Sequence, residues 1–220
     1  MRQLSKRLQT VADLCQPASR LIDIGTDHGM LPIYVLLSEK VSKAVAIDRS
    51  ENALFQAARN KDRYDLEENL ELRLSNGLQK CSIEEGDILT ISGMGGTNII
   101  DILSTSTSLQ GLKQCVVQPQ TEWTELRRFF CENGWKIDQE SFLQSKGHNY
   151  LTISYVPEEE TLTEKEMYIG KNLPKERSSA WLRWVHSEER RFSELKKQLG
   201  ERFSFDRELD WLREEIRLEY

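Results

Sequence analysis

Two glycine-bearing turns, each at the end of a short apolar run, constrain the fold of this chain more than any other feature. The first turn, residues 25–29, follows the apolar run 20–24 and leads into a second apolar run that begins at Met30. The second turn, residues 93–96, follows the apolar run 87–92. A strand, a tight turn and a helix in this order place a nucleotide-like ligand at the carboxyl end of a parallel strand. The two turns therefore predict an α/β fold with a ligand site where these strands end.

The remaining apolar runs predict a doubly wound, Rossmann-like sheet. The expected parallel strands are 20–24, 41–47, 70–74, 87–92 and 115–118. The expected helices are 4–14, 30–38, 51–61, one that opens at 98–103 and one after Thr121, with Ser50 and Thr121 as N-caps. The last two strands, 135–142 and 149–155, leave no room for a helix between them, so they should form an antiparallel hairpin at the sheet edge.

The composition changes at the acidic segment 157–160, where we expect a domain boundary. This divides the chain into an α/β domain over 1–157 and a helical region over 158–220. Residues there recur at four-three spacing in two stripes separated by Gly200, and all of them are apolar except Glu188, which breaks the first stripe: Trp181, Val185, Glu188, Phe192, Leu195 and Leu199, then Phe205, Leu209, Leu212 and Ile216. Two such stripes predict an antiparallel, coiled-coil-like helical hairpin.

Charge and cysteine content narrow the class of protein. A formal net charge of −6 argues against a generally basic nucleic-acid binder, although it permits a local basic patch. The four cysteines are widely spaced without a C-x-x-C pair, which disfavours a metal site and favours reduced thiols. The N-terminal segment 1–8 lacks the apolar core of a signal peptide. We therefore expect a cytoplasmic protein with no metal and no membrane contact.

The first turn carries an aspartate, Asp27, where a dinucleotide-binding turn needs glycine. A carboxylate facing a pyrophosphate would be repelled, so an NAD-linked oxidoreductase is disfavoured. The same carboxylate suits a positively charged or zwitterionic ligand such as S-adenosylmethionine. Asp23, at the end of the strand, could receive the ammonium of this ligand or simply fix the turn.

The ends of the other strands offer groups for a nucleoside. Asp48 ends the second strand, where a carboxylate can bind both ribose hydroxyls. Asn76 with Gly77 could contact an adenine edge or form a plain turn. Three glycines in residues 93–96 let the backbone approach a ligand closely, beside a flat acceptor. The amides of segment 118–120 could bind a base edge.

Five segments together resemble the bacterial tRNA (adenine-22-N1)-methyltransferase family of the TrmK type. They are Leu-Ser-Lys-Arg-Leu at 4–8, Asp-Ile-Gly-Thr-Asp-His-Gly-Met-Leu-Pro at 23–32, Ser-Asn-Gly-Leu at 75–78, Gly-Met-Gly-Gly at 93–96 and Gln-Pro-Gln at 118–120. The resemblance implies a class I S-adenosylmethionine-dependent methyltransferase fold and N1 of a tRNA D-arm adenine as acceptor. The chain departs from the family at three positions. It has Asp48 and Leu151 where the family often has Glu, and Gln120 where the family usually has Asn.

The resemblance and the turn chemistry give one set of site predictions. Cofactor contacts are expected from Asp23, Gly25, Asp27, His28, Asp48, Arg49, Asn76, Gly77, Gly93, Met94, Gly95 and Gly96. Contacts with tRNA are expected from Arg7, Gln118, Pro119 and Gln120, and catalytic contributions from Asp27, Gln118 and Gln120. Asp27 would either stabilise the cationic methylated adenine or hold the ammonium of the donor.

Two alternative functions stay open. One is a methyltransferase of the same fold that acts on another RNA or on a small molecule, and the other is a tRNA-binding module without catalysis. For the assembly we expect a monomer or a weak dimer. The helical hairpin could grip tRNA or mediate that dimerisation.

Overall fold

The computed structural model of the protein describes residues 4–105, 109–202 and 204–219. Its strands are β1 (Ala18–Ile24), β2 (Val41–Asp48), β3 (Leu70–Leu74), β4 (Asp87–Met94), β5 (Leu112–Pro119), β6 (Lys136–Ser145) and β7 (His148–Val156). Its α-helices are α1 (Lys6–Leu14), α2 (Met30–Leu37), α3 (Glu51–Arg63), α4 (Gly96–Ser104), α5 (Trp123–Glu132), α6 (Glu164–Ile169), α7 (Leu173–Glu176), α8 (Ser179–Leu199) and α9 (Asp206–Arg217). Residues 1–3 of the predicted N-terminal segment lie outside the described ranges.

The strands form one seven-stranded sheet in the order β3-β2-β1-β4-β5-β7-β6. The first five strands are parallel, whereas β7 runs antiparallel to both β5 and β6. The predicted doubly wound sheet with an antiparallel hairpin at its edge is therefore confirmed. This topology reverses direction between β1 and β4, and the crevice for a ligand opens at the carboxyl ends of these two strands.

Side chains alternate between the two faces of the central strands, because successive residues of a strand point in opposite directions. Ile22 and Leu89 pack into the core that is continuous with α4 and α5. Leu21 and Ile88 pack into the core shared with α1 and α2. Burial on both faces explains why the parallel strands read as nearly continuous apolar runs in the sequence.

One of the two predicted helix caps is confirmed and the other is wrong. The Ser50 side chain accepts the backbone N–H of Ala53 at 3.3 Å, as an N-cap should. At α5 the N-cap is Glu122, which has φ +53° and makes no side-chain cap bond. Thr121 is engaged otherwise, because its carbonyl accepts the N–H of Gly96 at 3.1 Å and its hydroxyl donates to Glu122.

The predicted C-terminal helical hairpin is confirmed as α8 and α9. Trp181, Phe192 and Leu212 are buried along its seam, and they belong to the same apolar core as β5, β6 and α5. Trp184 extends this contact, with its ring 5.7 Å from the ring of Phe142 on β6. The short helices α6 and α7, which precede the hairpin, were not expected from the sequence. The division of the chain into two domains at residue 157 stays a prediction.

A buried ion pair joins the sheet edge to the segment that leads into the hairpin. Arg127 donates through Nε and Nη2 to Glu140 Oε1 at 3.0 and 2.7 Å, and through Nη1 to the carbonyl of Met167 at 2.8 Å. Glu140 Oε2 accepts the N–H groups of Lys171 and Asn172, each at 2.8 Å. Both oxygens of Glu140 and all three nitrogens of the Arg127 guanidinium make hydrogen bonds. The pair therefore fixes the segment from Met167 to Asn172 against β6.

None of the helices among the described residues has the length and apolar character needed to cross a membrane. All four cysteines are free thiols, and burial raises the pKa of Cys15 to about 12. A thiol with so high a pKa is protonated at neutral pH and reacts slowly.

Candidate functional site

The turn after β1 is tied to the end of β2. Gly25 has φ +72°, and a Cβ atom there would lie 2.4 Å from the Met94 methyl carbon. Only glycine therefore fits without displacing Met94. Asp27 follows in the left-handed region with φ +53°, and its N–H donates to Asp48 Oδ2 at 3.0 Å. Asp48 Oδ1 accepts the N–H of Ser50 at 2.9 Å, so one carboxylate holds the turns after both strands.

The second glycine turn begins with a bulge between β4 and β5. Ser92 pairs with Gln118 and Met94 pairs with Pro119, so Gly93 is an extra residue on β4. Its φ of +77° is a conformation that glycine adopts readily. The bulge turns the end of β4 towards the crevice, where the backbone of residues 93–95 becomes part of the site.

A cavity of about 560 Å³, here called cavity I, opens over the ends of β1, β2, β3 and β4. The predicted site residues that line it are Gly25, Asp48, Arg49, Asn76, Gly77, Gly93, Met94, Gly95 and Gln120. Its polar walls and its size suit a nucleoside, with Asp48 at the place where a ribose diol would bind. Among the described residues, two backbone N–H groups donate to the Asp48 carboxylate, which has further lone pairs that can accept from such a ligand.

A second cavity of about 310 Å³, here called cavity II, lies beside the first under α1. Of the predicted residues, Arg7, Asp23, Gly25, Asp27 and His28 line it. Gly25 and Ser92 line both cavities, so the two meet at the end of β1 and β4. A single ligand could therefore extend from one cavity into the other past Gly25.

Asp23 is the buried acid of cavity II, with a relative exposure of 2%. Burial raises the pKa of Asp23 to about 6. The hydroxyl of Thr90, which donates to Asp23 Oδ1 at 2.7 Å, opposes this rise, whereas the charge of Asp48 adds to it. A carboxylate in this position would be stabilised by a cationic ligand group.

Of the predicted site residues in cavity II, Asp27 and His28 are exposed. Their side chains are 75% and 57% exposed, and His28 Nε2 lies 3.3 Å from Asp27 Oδ1. The carbonyl of His28 accepts the amide N–H of Asn60 at 2.9 Å, which ties the turn to α3. The backbone of this turn is thus fixed, while the Asp27 carboxylate is exposed and accessible to a large substrate.

Three predicted site residues line neither cavity. Gly96 is buried where α4 starts, and a Cβ there would lie 2.7 Å from the carbonyl oxygen of Thr121. Gln118 is 2% exposed and its amide nitrogen bonds within the protein. Pro119 ends β5. The roles predicted for these three residues in ligand binding stay predictions.

One wall of cavity I, formed by α4 and the residue after it, was not predicted from the sequence. The polar and apolar residues of this wall are Asn98, Asp101, Ile102 and Thr105. Their spacing of three, four and seven residues puts them on one face of a helix. That spacing, directly after a glycine-rich turn, is a signal that could have found them.

The chain is similar to known methyltransferases. A family model described as "Methyltransferase domain" matches residues 4–153. The tRNA (adenine(22)-N(1))-methyltransferase of Bacillus subtilis (strain 168) is 32% identical over 152 residues, which are 69% of this chain and 64% of that protein. The match thus spans slightly less than two thirds of that enzyme's length.

Solved structures match over a longer part of the chain. The B. subtilis M1A22 tRNA methyltransferase TrmK superposes with a TM-score of 0.82 and 26% identity, covering 99% of this chain and 96% of that one. M. capricolum TrmK, in complex with the natural cofactor product S-adenosyl-homocysteine, gives a TM-score of 0.87 and 26% identity, covering 98% and 99%.

The fold, the crevice and the family match define an S-adenosylmethionine-dependent methyltransferase of class I. The expected cofactor has a nucleoside with a ribose diol, an ammonium and a carboxylate. The residues present fit it, because cavity I offers Asp48 to a diol and cavity II offers both an anion, Asp23, and a cation, Arg7. Within this class the chain belongs to the tRNA (adenine-22-N1)-methyltransferase family.

Proposed function

We propose that this protein transfers the methyl group of S-adenosylmethionine to N1 of adenine 22 in the D-arm of tRNA. The observation that carries the proposal is the meeting of cavities I and II at Gly25 and Ser92, beside the bulge of β4. This arrangement brings a donor that spans both cavities next to an open, glycine-lined face. The family membership supports both the donor and the acceptor.

The donor is held at three places in this proposal. Asp48 binds the ribose hydroxyls, and the wall of α4 with Asn76 encloses the adenine in cavity I. The amino-acid end extends past Gly25 into cavity II, where Asp23 receives the ammonium. Because the side chain of Asp23 is buried and accepts from Thr90, it is fixed before the ligand arrives. Such preorganisation lowers the entropic cost of binding.

The chemistry requires little more than alignment. S-adenosylmethionine, when bound, supplies an electrophilic methyl group that adenine N1 attacks with its own lone pair. Because N1 carries no proton to be removed, the protein needs no strong general base. Holding two reactants in line can lower a barrier by roughly 7–11 kcal/mol. The methylated ring becomes cationic, and the exposed carboxylate of Asp27 lies where it can stabilise this charge.

The acceptor adenine must leave the tRNA helix to reach the site, at a cost of a few kcal/mol. We propose that it enters over residues 93–95 and that Gln120 contacts its edge. Gln120 is suitably held, because its N–H donates to the carbonyl of Met94 at 2.8 Å. Contacts between the tRNA body and the protein surface would offset the cost of unstacking.

Two further assignments go with this function. We place the protein in the cytoplasm, where tRNA is modified in bacteria. We also propose that it acts as a monomer or a weak dimer.

The test is incubation with methyl-labelled S-adenosylmethionine and unmodified tRNA, followed by nucleoside mapping. The expected product is 1-methyladenosine at position 22. A tRNA with guanine at that position is the matched control and should take up no label. Label in another nucleoside, or labelling of the control tRNA at the same rate, would refute the proposed acceptor.

A further inference from the structure

Gln118 on β5 connects the first turn of α1 to the sheet. Its amide nitrogen donates to the carbonyl of Arg7 and to the Thr152 hydroxyl, both at 2.8 Å. The carbonyl of Arg7 also accepts the Thr10 hydroxyl at 2.7 Å. The partners of Gln118 on α1 and β7 are 111 and 34 residues away in sequence. A single buried side chain therefore fixes the position of Arg7 relative to two strands.

Gln114, four residues earlier on β5, makes the corresponding contacts at the other end of α1. Its amide nitrogen donates to the carbonyl of Leu14 at 2.8 Å and to the Ser154 hydroxyl at 2.7 Å. Its amide oxygen accepts the N–H of Gln16 at 2.8 Å. The two glutamines thus hold the two ends of one helix, but only Gln118 holds the end near cavity II.

The contact with Gln118 stabilises the first turn of α1, which lacks a side-chain cap. Its N-cap, Ser5, makes no side-chain capping hydrogen bond to the described first turn. An uncapped helix end leaves its first N–H groups without partners and tends to fray. Because the contact with Gln118 fixes a carbonyl of this turn, it restricts the motion that the missing cap would allow.

Arg7 lines cavity II, and its guanidinium has no anionic partner among the residues that the structure describes. Arg7 is half-buried and lines the cavity together with Asp23 and Asp27, yet it forms no ion pair with any described residue. One of its nitrogens, Nη1, lies 3.8 Å from the position of a Cβ atom built on Gly93. A half-buried cation beside a separate buried anion matches a zwitterion, whose carboxylate and ammonium need opposite charges.

We propose that Arg7 binds the carboxylate at the amino-acid end of the methyl donor, and that Gln118 is a positioning residue that holds Arg7 for this contact. The proposal rests on the proposed function only for the identity of the donor. It gives Arg7 and Gln118 a role in donor binding in place of the tRNA contacts expected from the sequence. The acceptor plays no part in it.

The test compares two ligands by isothermal titration calorimetry. One is S-adenosylhomocysteine, and the other is its decarboxylated form, which keeps the ammonium and lacks the carboxylate. A charged hydrogen bond corresponds to about a 10- to 100-fold preference of the natural chain for the first ligand. The variants are Arg7→Met, Gln118→Met and the pair combined, with Gln114→Met as the matched control.

Arg7→Met should reduce the preference to less than about threefold, because only the carboxylate contact is lost. Gln118→Met should reduce it by about three- to tenfold, and the double variant should equal Arg7→Met alone, as expected for residues that act through one contact. Gln114→Met removes at least as many buried hydrogen bonds, so it should lower the melting temperature at least as much. It should nevertheless keep the preference within about twofold of the natural value.

The outcomes separate the inference from the proposed function. Equal effects of Gln114→Met and Gln118→Met, or an unchanged preference in Arg7→Met, would overturn the inference. Failure of the natural chain to bind either ligand would instead refute the proposed donor, and with it the inference. If Gln118→Met does not fold, Thr152→Val replaces it, since it removes one partner of Gln118 and leaves the glutamine in place.

Discussion

The buried carboxylate of Asp23 makes donor binding sensitive to mild acid. Burial raises the pKa of Asp23 to about 6 in the unliganded protein. If the ionised carboxylate pairs with the ammonium of the ligand, protonation of Asp23 competes directly with binding. The affinity for S-adenosylhomocysteine, which carries the same ammonium, should therefore fall as the pH falls through about 6.

The magnitude follows from the fraction of ionised Asp23. The apparent dissociation constant is multiplied by one plus the ratio of protonated to ionised carboxyl, which is about 2 at pH 6 and about 11 at pH 5. The unliganded fold responds in the opposite direction, because the folded pKa lies above the unfolded value of 3.8. The raised pKa of Asp23 therefore stabilises the fold by about 3 kcal/mol below the unfolded pKa. This stabilisation is lost as the pH rises through the folded pKa.

The assay is calorimetric titration between about pH 5 and pH 7.5 in buffers of different ionisation enthalpy, which also counts the protons released. Asp23→Asn should bind about 10- to 100-fold more weakly at pH 7.5, with no further loss down to pH 5. Histidine side chains can titrate in this range. The control is therefore His28→Gln, which should keep the pH dependence of the natural chain.

Two results would refute the reasoning. One is a natural chain whose affinity is the same at both ends of the range. The other is an Asp23→Asn variant that keeps the slope, because the titrating group would then be another residue. A slope that disappears in His28→Gln alone would assign the effect to the histidine.

Three further predictions concern separate parts of the molecule. Asp27→Asn should lower turnover on tRNA by at least about tenfold while the affinity for S-adenosylhomocysteine changes less than about threefold, if the charge acts on the methylated ring; equal loss of affinity in titrations would contradict this. Gly25→Ala and Gly86→Ala should each cost about 1–2 kcal/mol of stability, since both glycines have positive φ. Only Gly25→Ala should also weaken donor binding, because its methyl group would displace the Met94 side chain that lines cavity I, and a similar loss of binding in Gly86→Ala would refute this reason. Arg127→Leu should lower the free energy of unfolding by about 3–5 kcal/mol, because it leaves Glu140 buried without its partner, and denaturant titration measures this; a change below about 1 kcal/mol would show that the pair is dispensable.

The elements of the fold could be predicted because each strand and helix is encoded in a local pattern. The apolar runs of β1, β2 and β4 are buried on both faces, so they stand out from the polar turns between them. The hairpin of β6 and β7 followed from the lack of space for a helix. Thr121 shows the limit of this reasoning, because its carbonyl is used by Gly96, which is distant in sequence.

The same limit applies to the site. Asp23, Asp48 and Asn76 could be found because parallel strands bring their carboxyl ends together, whatever lies between them. The contact between Gln118 and Arg7 could not be predicted, because the two residues are 111 positions apart in sequence. The sequence predicts instead that the Gln118 side chain contacts the acceptor. Long-range packing of α1 on β5 decides the role of this glutamine, and no local pattern encodes that packing.

The apolar core that continues from the sheet into α8 and α9 determines how the C-terminal helices can be studied. Trp181 is fully buried and its indole N–H donates to the carbonyl of Ile169 at 3.2 Å, while Trp184 packs against Phe142. Truncation before α8 would uncover these partners, and the shortened chain would tend to aggregate. Loss of RNA affinity in such a fragment would then report misfolding. Charge reversals on the solvent face of the hairpin preserve the shared core, so they can separate RNA contacts from structural support.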